Sequence, residues 1–235
     1  MRHVDDPTRE TRWSWLGRLP YAQAFDLQVE IRDELAAGRG PERLLLLEHP
    51  HVYTLGRNAS ERDVLLAPGE LAARGIDVAA TDRGGQVTYH GPGQLVGYPI
   101  LDLNPDRRDL RRYVRDLQEV LVRTLAGYGV EAAGGEREIG VWVGRRKIAS
   151  IGVHLAHWRT THGFALNVDP DLGLFGGIVA CGLPGVEMTS IARESGRSPA
   201  LEEVGARVVS HFAEVFGRRL AHDPELRPAP VETAR

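Results

Sequence analysis

Apolar positions along the chain follow two rhythms. From Asp109 to Leu125 the set Leu110, Tyr113, Val114, Leu117, Val120, Leu121 and Leu125 recurs at three- and four-residue intervals, the spacing of one helix face, and predicts the best-defined helix. Nearer the start, Tyr21, Phe25, Val29, Ile31 and Leu35 predict a helix closed by Gly38 to Pro41. A last helix is predicted after Ser198, a residue able to cap, and Pro199, suited to a first helical position, with Leu201, Val204, Val208, Phe212 and Val215 as its stripe. Between these lie shorter runs. Arg43 to Glu48 reads as a buried strand, although so short an apolar run also suits a helix, and 96–103, 139–143, 147–155 and 164–168 read as strands separated by glycine-bearing turns. Arg145-Arg146 marks a tight turn joining 139–143 to 147–155 as a hairpin. Strands and helices mix without regular βαβ alternation, which points to an α+β fold rather than a doubly wound sheet. No internal repeat and no low-complexity segment interrupts them.

The ends depart from both rhythms. Residues 1–12 are polar, and 223–235 hold three prolines and no apolar period, so a single folded body is expected over 13–222 with a loose tail on either side. A chain of 235 residues can bury a substantial core as one large domain. Charged residues make up 26%, hydrophobic ones 42%, and the formal net charge is −3, which excludes a disordered chain and a basic nucleic-acid binder. The start lacks the apolar stretch of a signal peptide, and the densest aliphatic run, Leu44 to Leu47, is far too short to span a bilayer, so a cytoplasmic protein is expected. The lone cysteine, Cys181, fits a reducing compartment and cannot form an intramolecular disulfide.

Candidate chemistry gathers in a few stretches. Arg83 to Gln94 (RGGQVTYHGPGQ) places four glycines among twelve residues, which lets main chain approach a ligand and leaves N–H groups to hold an oxygen; a turn that merely needs positive φ is the structural alternative. The spacing matches neither a P-loop nor a dinucleotide fingerprint. Lys147, in GRRKIASIG, is one lysine beside 28 arginines among 29 basic side chains. Only lysine, whose amine loses its proton more readily when desolvated, can accept a proton near neutrality, whereas arginine stays charged; an arginine-rich composition that left one lysine by chance explains the count equally well. Cys181 stands in GIVACG, where apolar residues lead into a glycine-bounded turn. Its thiol becomes a good nucleophile only beside a base or cation, and Lys147, 34 residues away, is the available partner; a small buried hydrophobe is the other reading. His90, His154, His157 and His162 lie near these stretches, but neither they nor His49 and His51 show a spacing that commands a metal, and His162 reads first as a structural hydrogen-bonding residue.

These segments together resemble the lipoyl(octanoyl) transferases, the octanoyl-acyl-carrier-protein:protein N-octanoyltransferases. RGGQVTYHGPGQ at 83–94, GRRKIASIGVH at 144–154, HGFALNV at 162–168, ACG at 180–182 and EHPHVYTLGR at 48–57 follow that family's motifs in order, over roughly Leu16 to Arg193. The resemblance implies the fold of biotin and lipoate protein ligases, a mixed sheet flanked by helices, and an acyltransferase that needs no cofactor. It implies that Cys181 attacks the thioester of octanoyl-acyl carrier protein to form an octanoyl-enzyme, that Lys147 lowers the thiol pKa and carries protons, and that a lysine of a lipoyl domain, in a 2-oxoacid dehydrogenase subunit or the glycine-cleavage H protein, then takes the acyl group. Substrate contacts are implied for Arg83, Gly84, Gly85, Gln86, Val87, Thr88, Tyr89 and His90, for Ser150, Ile151 and Gly152, and for Gly163, Phe164 and Ala165. One departure is Ala180, where the family has proline before the cysteine. The competing readings are an ATP-dependent lipoate or biotin ligase, which needs no cysteine, and a noncatalytic acyl- or carrier-binding module.

Overall fold

Leu44 to Leu47 are all buried, and successive members face opposite ways: Leu44 and Leu46 join one apolar cluster, Leu45 and Leu47 another. A strand whose successive side chains point to opposite faces buries an unbroken apolar run only when both faces of its sheet are covered. The computed structural model, which describes residues 9–104, 106–136, 138–182 and 185–227, has that three-layer arrangement. In chain order the elements are β1 (Glu10–Arg18), α1 (Tyr21–Ala36), β2 (Glu42–Glu48), β3 (Val52–Leu55), α2 (Pro68–Ala73), β4 (Asp77–Ala80), β5 (Val87–His90), β6 (Gln94–Ile100), α3 (Leu110–Ala126), β7 (Ala133–Gly134), β8 (Gly140–Val143), β9 (Arg146–Ala156), β10 (Arg159–Asn167), α4 (Ile191–Ser195), α5 (Leu201–Phe216) and β11 (Arg219–His222).

The large sheet has eight strands in the order β11-β1-β2-β6-β10-β9-β8-β7. β1 runs parallel to β2 and β11, and the pairings from β2 to β7 are antiparallel, so the sheet is mixed. On one face α3 and α5 supply Leu117, Leu121, Val204, Val208 and Phe212; on the other α1 supplies Ala24, Leu27 and Ile31. Each fully buried leucine of β2 contributes roughly 1.5–3 kcal/mol by this burial. A second sheet of three strands, β4-β3-β5, packs its own core of Tyr53, Val87, Tyr89, Phe175 and Ile178. β5 passes to β6 through Gly91, Pro92 and Gly93, which sets the glycine-rich stretch between the two sheets.

The α+β class and the helix-flanked mixed sheet follow the sequence reading, and α3 presents the apolar face its periodicity requires. Elsewhere the structure departs from that reading. α1 buries Tyr21, Ala24, Leu27, Gln28 and Ile31 rather than the Phe25, Val29 and Leu35 side: Ala24, Leu27 and Ile31 pack on the sheet, and the Gln28 side-chain oxygen accepts the buried His162 main-chain N–H from β10. α5 starts at Leu201 after Ala200 with no side-chain cap, since the Ser198 hydroxyl donates to Asp169 instead, 2.6 Å away. β10 begins five residues before the predicted strand, at Arg159, because the polar Thr160 and Thr161 that break the apolar pattern are buried in pairing with β9. The body also extends beyond 13–222. Glu10, Thr11 and Arg12 pair with β2 and β11, Arg9 reaches Asp106 at 2.7 Å, and Asp223 accepts from Arg43 at 2.5 Å. Residues 1–8 and 228–235 of the expected tails lie outside the described residues.

Candidate active site

Lys147 is the second residue of β9 and only 3% exposed. Two features make room for so long a side chain in the interior. Gly140, which opens β8 and pairs with Ser150, has φ +149 and no side chain; a Cβ there would sit 2.5 Å from Lys147 Cε. On its own hairpin, the Trp142 ring lies against the lysine, its centroid 5.3 Å from Lys147 Nζ. The hairpin turn falls at Gly144-Arg145, with Val143 opposite Arg146.

The main chain of Lys147 is fastened to the segment that follows Cys181. Its N–H donates to Glu187 O at 2.8 Å, and the Thr189 N–H donates to Lys147 O at 2.9 Å. Upstream of the cysteine, Leu65 N–H donates to Gly177 O and Val179 N–H to Asp63 O, each at 2.8 Å. The Ala180–Gly182 turn is thus anchored on both sides, and within eight residues of Cys181 the chain is hydrogen-bonded to Lys147. Gly182 closes the turn at φ +66, and a Cβ there would lie 2.8 Å from Gln86 Cγ, so the turn lies against the glycine-rich segment. Ala180 is buried in the small core with Tyr89 and Met188. The Cys181 side chain lies outside the described part of the structure.

Lys147 lines a cleft of about 1120 Å³. Its walls include Arg83 to Thr88 and His90, Ser150 to Gly152, and Gly163 to Ala165. Tyr89 does not reach it: successive residues of β5 face opposite ways, and Tyr89, between Thr88 and His90, turns into the small core, its ring 5.1 Å from that of Phe175. The glycine-rich wall is tied to β9 by Gly84 N–H donating to Val153 O at 2.9 Å. Arg83 braces this wall from behind, donating to Thr54 O at 2.6 Å and Thr54 Oγ1 at 2.8 Å. The mouth is formed in part by Leu110 and Val114 of α3 and by Ile139, with Tyr21, Tyr98 and His162 also contributing to the walls. Sequence reasoning missed Gly140, Trp142 and these cleft residues other than His162; a glycine inside a predicted strand was the one available signal. A more open groove of about 1640 Å³ on the outer side of the hairpin is lined by Trp142, Arg145 and Arg146 but by none of the glycine-rich residues.

The histidines serve as hydrogen-bonding groups. Leu19 O can only accept, so His49 Nδ1 carries the proton toward it at 2.6 Å, and His49 Nε2 accepts from Tyr98 Oη at 2.8 Å. Burial lowers the His49 pKa to about 4, and burial, with nearby His49 adding to it, drives His90 well below its ordinary value. His162 lies within β10 at φ +58, a strained conformation for a residue with a side chain, costing about 1–3 kcal/mol. It is held there by Gln28 Oε1, which accepts its main-chain N–H at 2.7 Å, and by Asp82 Oδ1, 2.6 Å from Nε2. Burial takes His162 to about 4 despite the Asp82 carboxylate, so this imidazole is neutral at pH 7 and Nε2–H is the donor to Asp82. His154 Nε2 lies 3.5 Å from the other Asp82 oxygen. Among the described residues, no group of three or more His, Cys, Asp or Glu is placed to hold a metal, and no helix is long and apolar enough to cross a membrane.

Residues 20–213 match the family model of the lipoyl protein ligase A/B catalytic domain. The chain is 51% identical over 201 residues to an octanoyltransferase of Solibacter usitatus, covering 86% of this chain and 90% of that one. It is 50% identical over 205 residues to an octanoyltransferase of Chloroflexus aurantiacus, covering 86% and 92%. Among solved structures, a bipartite lipoate protein ligase of Thermoplasma acidophilum superposes with a TM-score of 0.71 at 18% identity, covering 93% of this chain and 88% of that one, a likeness of fold.

Proposed function

The chain belongs to the octanoyltransferase family, acyltransferases of protein lipoylation built on the lipoyl protein ligase A/B catalytic domain, and from that premise we propose that it works through a cysteine thioester. The donor is octanoyl-acyl carrier protein, and the acceptor is a lysine on a lipoyl domain of a 2-oxoacid dehydrogenase subunit or on the glycine-cleavage H protein. The observation that carries this reading is the placement of Lys147: a buried lysine on the wall of the cleft, main-chain bonded to the segment that leaves the Cys181 turn.

In the first half-reaction the Cys181 thiol gives its proton to the Lys147 amine, and the sulfur attacks the thioester carbonyl. As the carbon–sulfur bond to the carrier breaks, Lys147 returns the proton to the departing thiolate. In the second, the acceptor amine attacks the octanoyl-enzyme, Lys147 takes a proton from the attacking nitrogen, and the Cys181 thiolate leaves and is reprotonated. One amide forms and one thioester is lost, with no nucleotide consumed. The acyl chain lies along the wall made by Arg83 to Thr88, His90, Ser150 to Gly152 and Gly163 to Ala165, where glycines let main chain approach it. An arginine at 147 retains charge but not the proton shuttle. Lys147→Arg is therefore expected to bind donor and to acylate about 10²–10⁴ times more slowly, measured by single-turnover mixing; near-normal acylation would remove the shuttle from the mechanism.

The deciding experiment is the intact mass of the protein after mixing with octanoyl-acyl carrier protein without ATP, beside Cys181→Ser. One octanoyl adduct on the unmodified chain, missing from the serine variant and discharged by an apo lipoyl domain, is the expected result. Product formed only from free octanoate and ATP would make the protein a ligase and leave Cys181 structural.

A further inference from the structure

A buried polar side chain outside the residues assigned to substrate and chemistry connects the two sides of the cleft. Asn167, the last residue of β10, is 1% exposed. Its Nδ2–H donates to Thr189 O at 2.9 Å, and its Oδ1 accepts from Gln94 Nε2 at 2.9 Å. The orientation is forced. A carbonyl can only accept, so the amide nitrogen must face Thr189; the Asn167 oxygen then requires the Gln94 nitrogen, and Gln94 Oε1 requires a proton on His90 Nδ1, 2.7 Å away. His90 Nε2 faces Thr54 Oγ1 at 3.4 Å, and that hydroxyl accepts from Arg83. One line of buried hydrogen bonds therefore runs from the brace of the glycine-rich wall to Thr189.

Thr189 is in turn the residue whose N–H holds Lys147 O. Its hydroxyl donates to Glu194 Oε1 at 2.5 Å, and Glu194 grips Arg146, the neighbour of Lys147, through two nitrogens at 2.8 and 2.9 Å. The Glu187 to Thr189 segment is thus a short splint along Lys147, and Asn167 is the side chain that fastens the splint to the sheet.

We propose that Asn167 is a positioning residue for Lys147: by holding the Thr189 carbonyl and the Gln94 amide together, it sets Lys147 relative to the glycine-rich wall. The proposal rests on Lys147 and Cys181 being the reacting pair. Replacing Asn167 strands a buried carbonyl and a buried amide, and the segment relaxes to satisfy them. A shift of about 1 Å in a catalytic group can cost roughly a hundredfold in rate.

The test measures the pH dependence of iodoacetamide alkylation of Cys181, with single-turnover octanoylation, on the unmodified protein, Lys147→Ala, Asn167→Leu and Asn167→Asp. The aspartate keeps an acceptor for Gln94 and lacks the donor to Thr189. Lys147→Ala is expected to raise the alkylation midpoint by about one pH unit or more, and both Asn167 variants to raise it in the same direction. Octanoylation at saturating donor is expected to slow ten- to a hundredfold in both, with half-saturation changed far less. Folded Asn167 variants with an unshifted midpoint and near-normal rate would overturn the proposal and leave the Cys181–Lys147 reading standing if Lys147→Ala still shifts. An unshifted midpoint in Lys147→Ala removes that reading, and this proposal with it. If neither Asn167 variant gives folded protein by circular dichroism, Asn167 serves the fold alone and the proposal is overturned.

Discussion

At Gly140 one hydrogen atom in place of a methyl group gives Lys147 its position. A Cβ there meets Lys147 Cε at 2.5 Å and Ala149 O at 2.6 Å, on a backbone at φ +149. Gly140→Ala is expected to cost about 1–3 kcal/mol, read as a fall of several degrees in melting temperature, and to slow single-turnover acylation at least tenfold because the lysine must move. His49 acts at the same scale on pH dependence. Burial lowers its pKa from 6.5 to about 4, so on acidification the unfolded chain takes up the proton first. The stability it contributes is whole above pH 6.5 and is lost progressively as pH falls toward 4, by about 2 kcal/mol between pH 7 and pH 5. His162, also lowered to about 4 by burial, adds a loss of the same sign. Buried His90, driven well below its ordinary value, adds to it in the same direction; urea midpoints at the two pH values measure the sum, and His49→Gln is expected to start lower at pH 7 and to flatten the slope.

Among the elements, α3 links the core to the cleft. Tyr113, Leu117, Val120, Leu121 and Leu125 bury one face, while Leu110 and Val114 of its first turns stand at the cleft mouth. Asp109 caps it, accepting the Arg112 N–H at 3.0 Å. Asp109→Ala is expected to cost about 1 kcal/mol, a melting shift of roughly 2–4 °C, and to raise the KM for donor with kcat little changed, since fraying of this turn loosens the mouth and not the site around Lys147. Steady-state kinetics with octanoyl-acyl carrier protein separates the two constants.

Across the whole molecule, a buried ionic cluster joins four distant parts of the chain. Arg218 donates to Glu42 at 3.0 Å and to Asp106 at 2.8 Å, and Arg9 pairs with both carboxylates. Burial raises the Glu42 pKa against the opposing pull of Arg218 and Arg9, while Asp106 is held low despite its burial by the hydrogen bond and charge of Arg218. Glu42→Gln leaves a fully buried guanidinium short of countercharge and is expected to destabilise the fold by about 3–5 kcal/mol in urea titration. β2, which carries Glu42, lies three strands from β9, so kcat measured on the folded fraction at low temperature is expected to stay within about twofold of the unmodified enzyme.

What the sequence determined by itself was whatever rests on neighbours along the chain: the 3.6-residue period of α3, the unbroken apolar run of Leu44 to Leu47, the hairpin around Arg145, and the motifs that bear the family resemblance, with their single lysine and single cysteine. Only the tertiary structure decided which polar groups meet. Gln28 lies on the buried face of α1 because it serves His162, 134 residues later, and Asn167 was one letter of a motif until the sheet order set it between Gln94 and Thr189. Gly140 carries no side chain to announce a role, and its value is the space it leaves beside Lys147. Periodicity is a property of a few consecutive residues, whereas a hydrogen bond or a vacated volume belongs to groups that strand pairing brings together from distant parts of the chain.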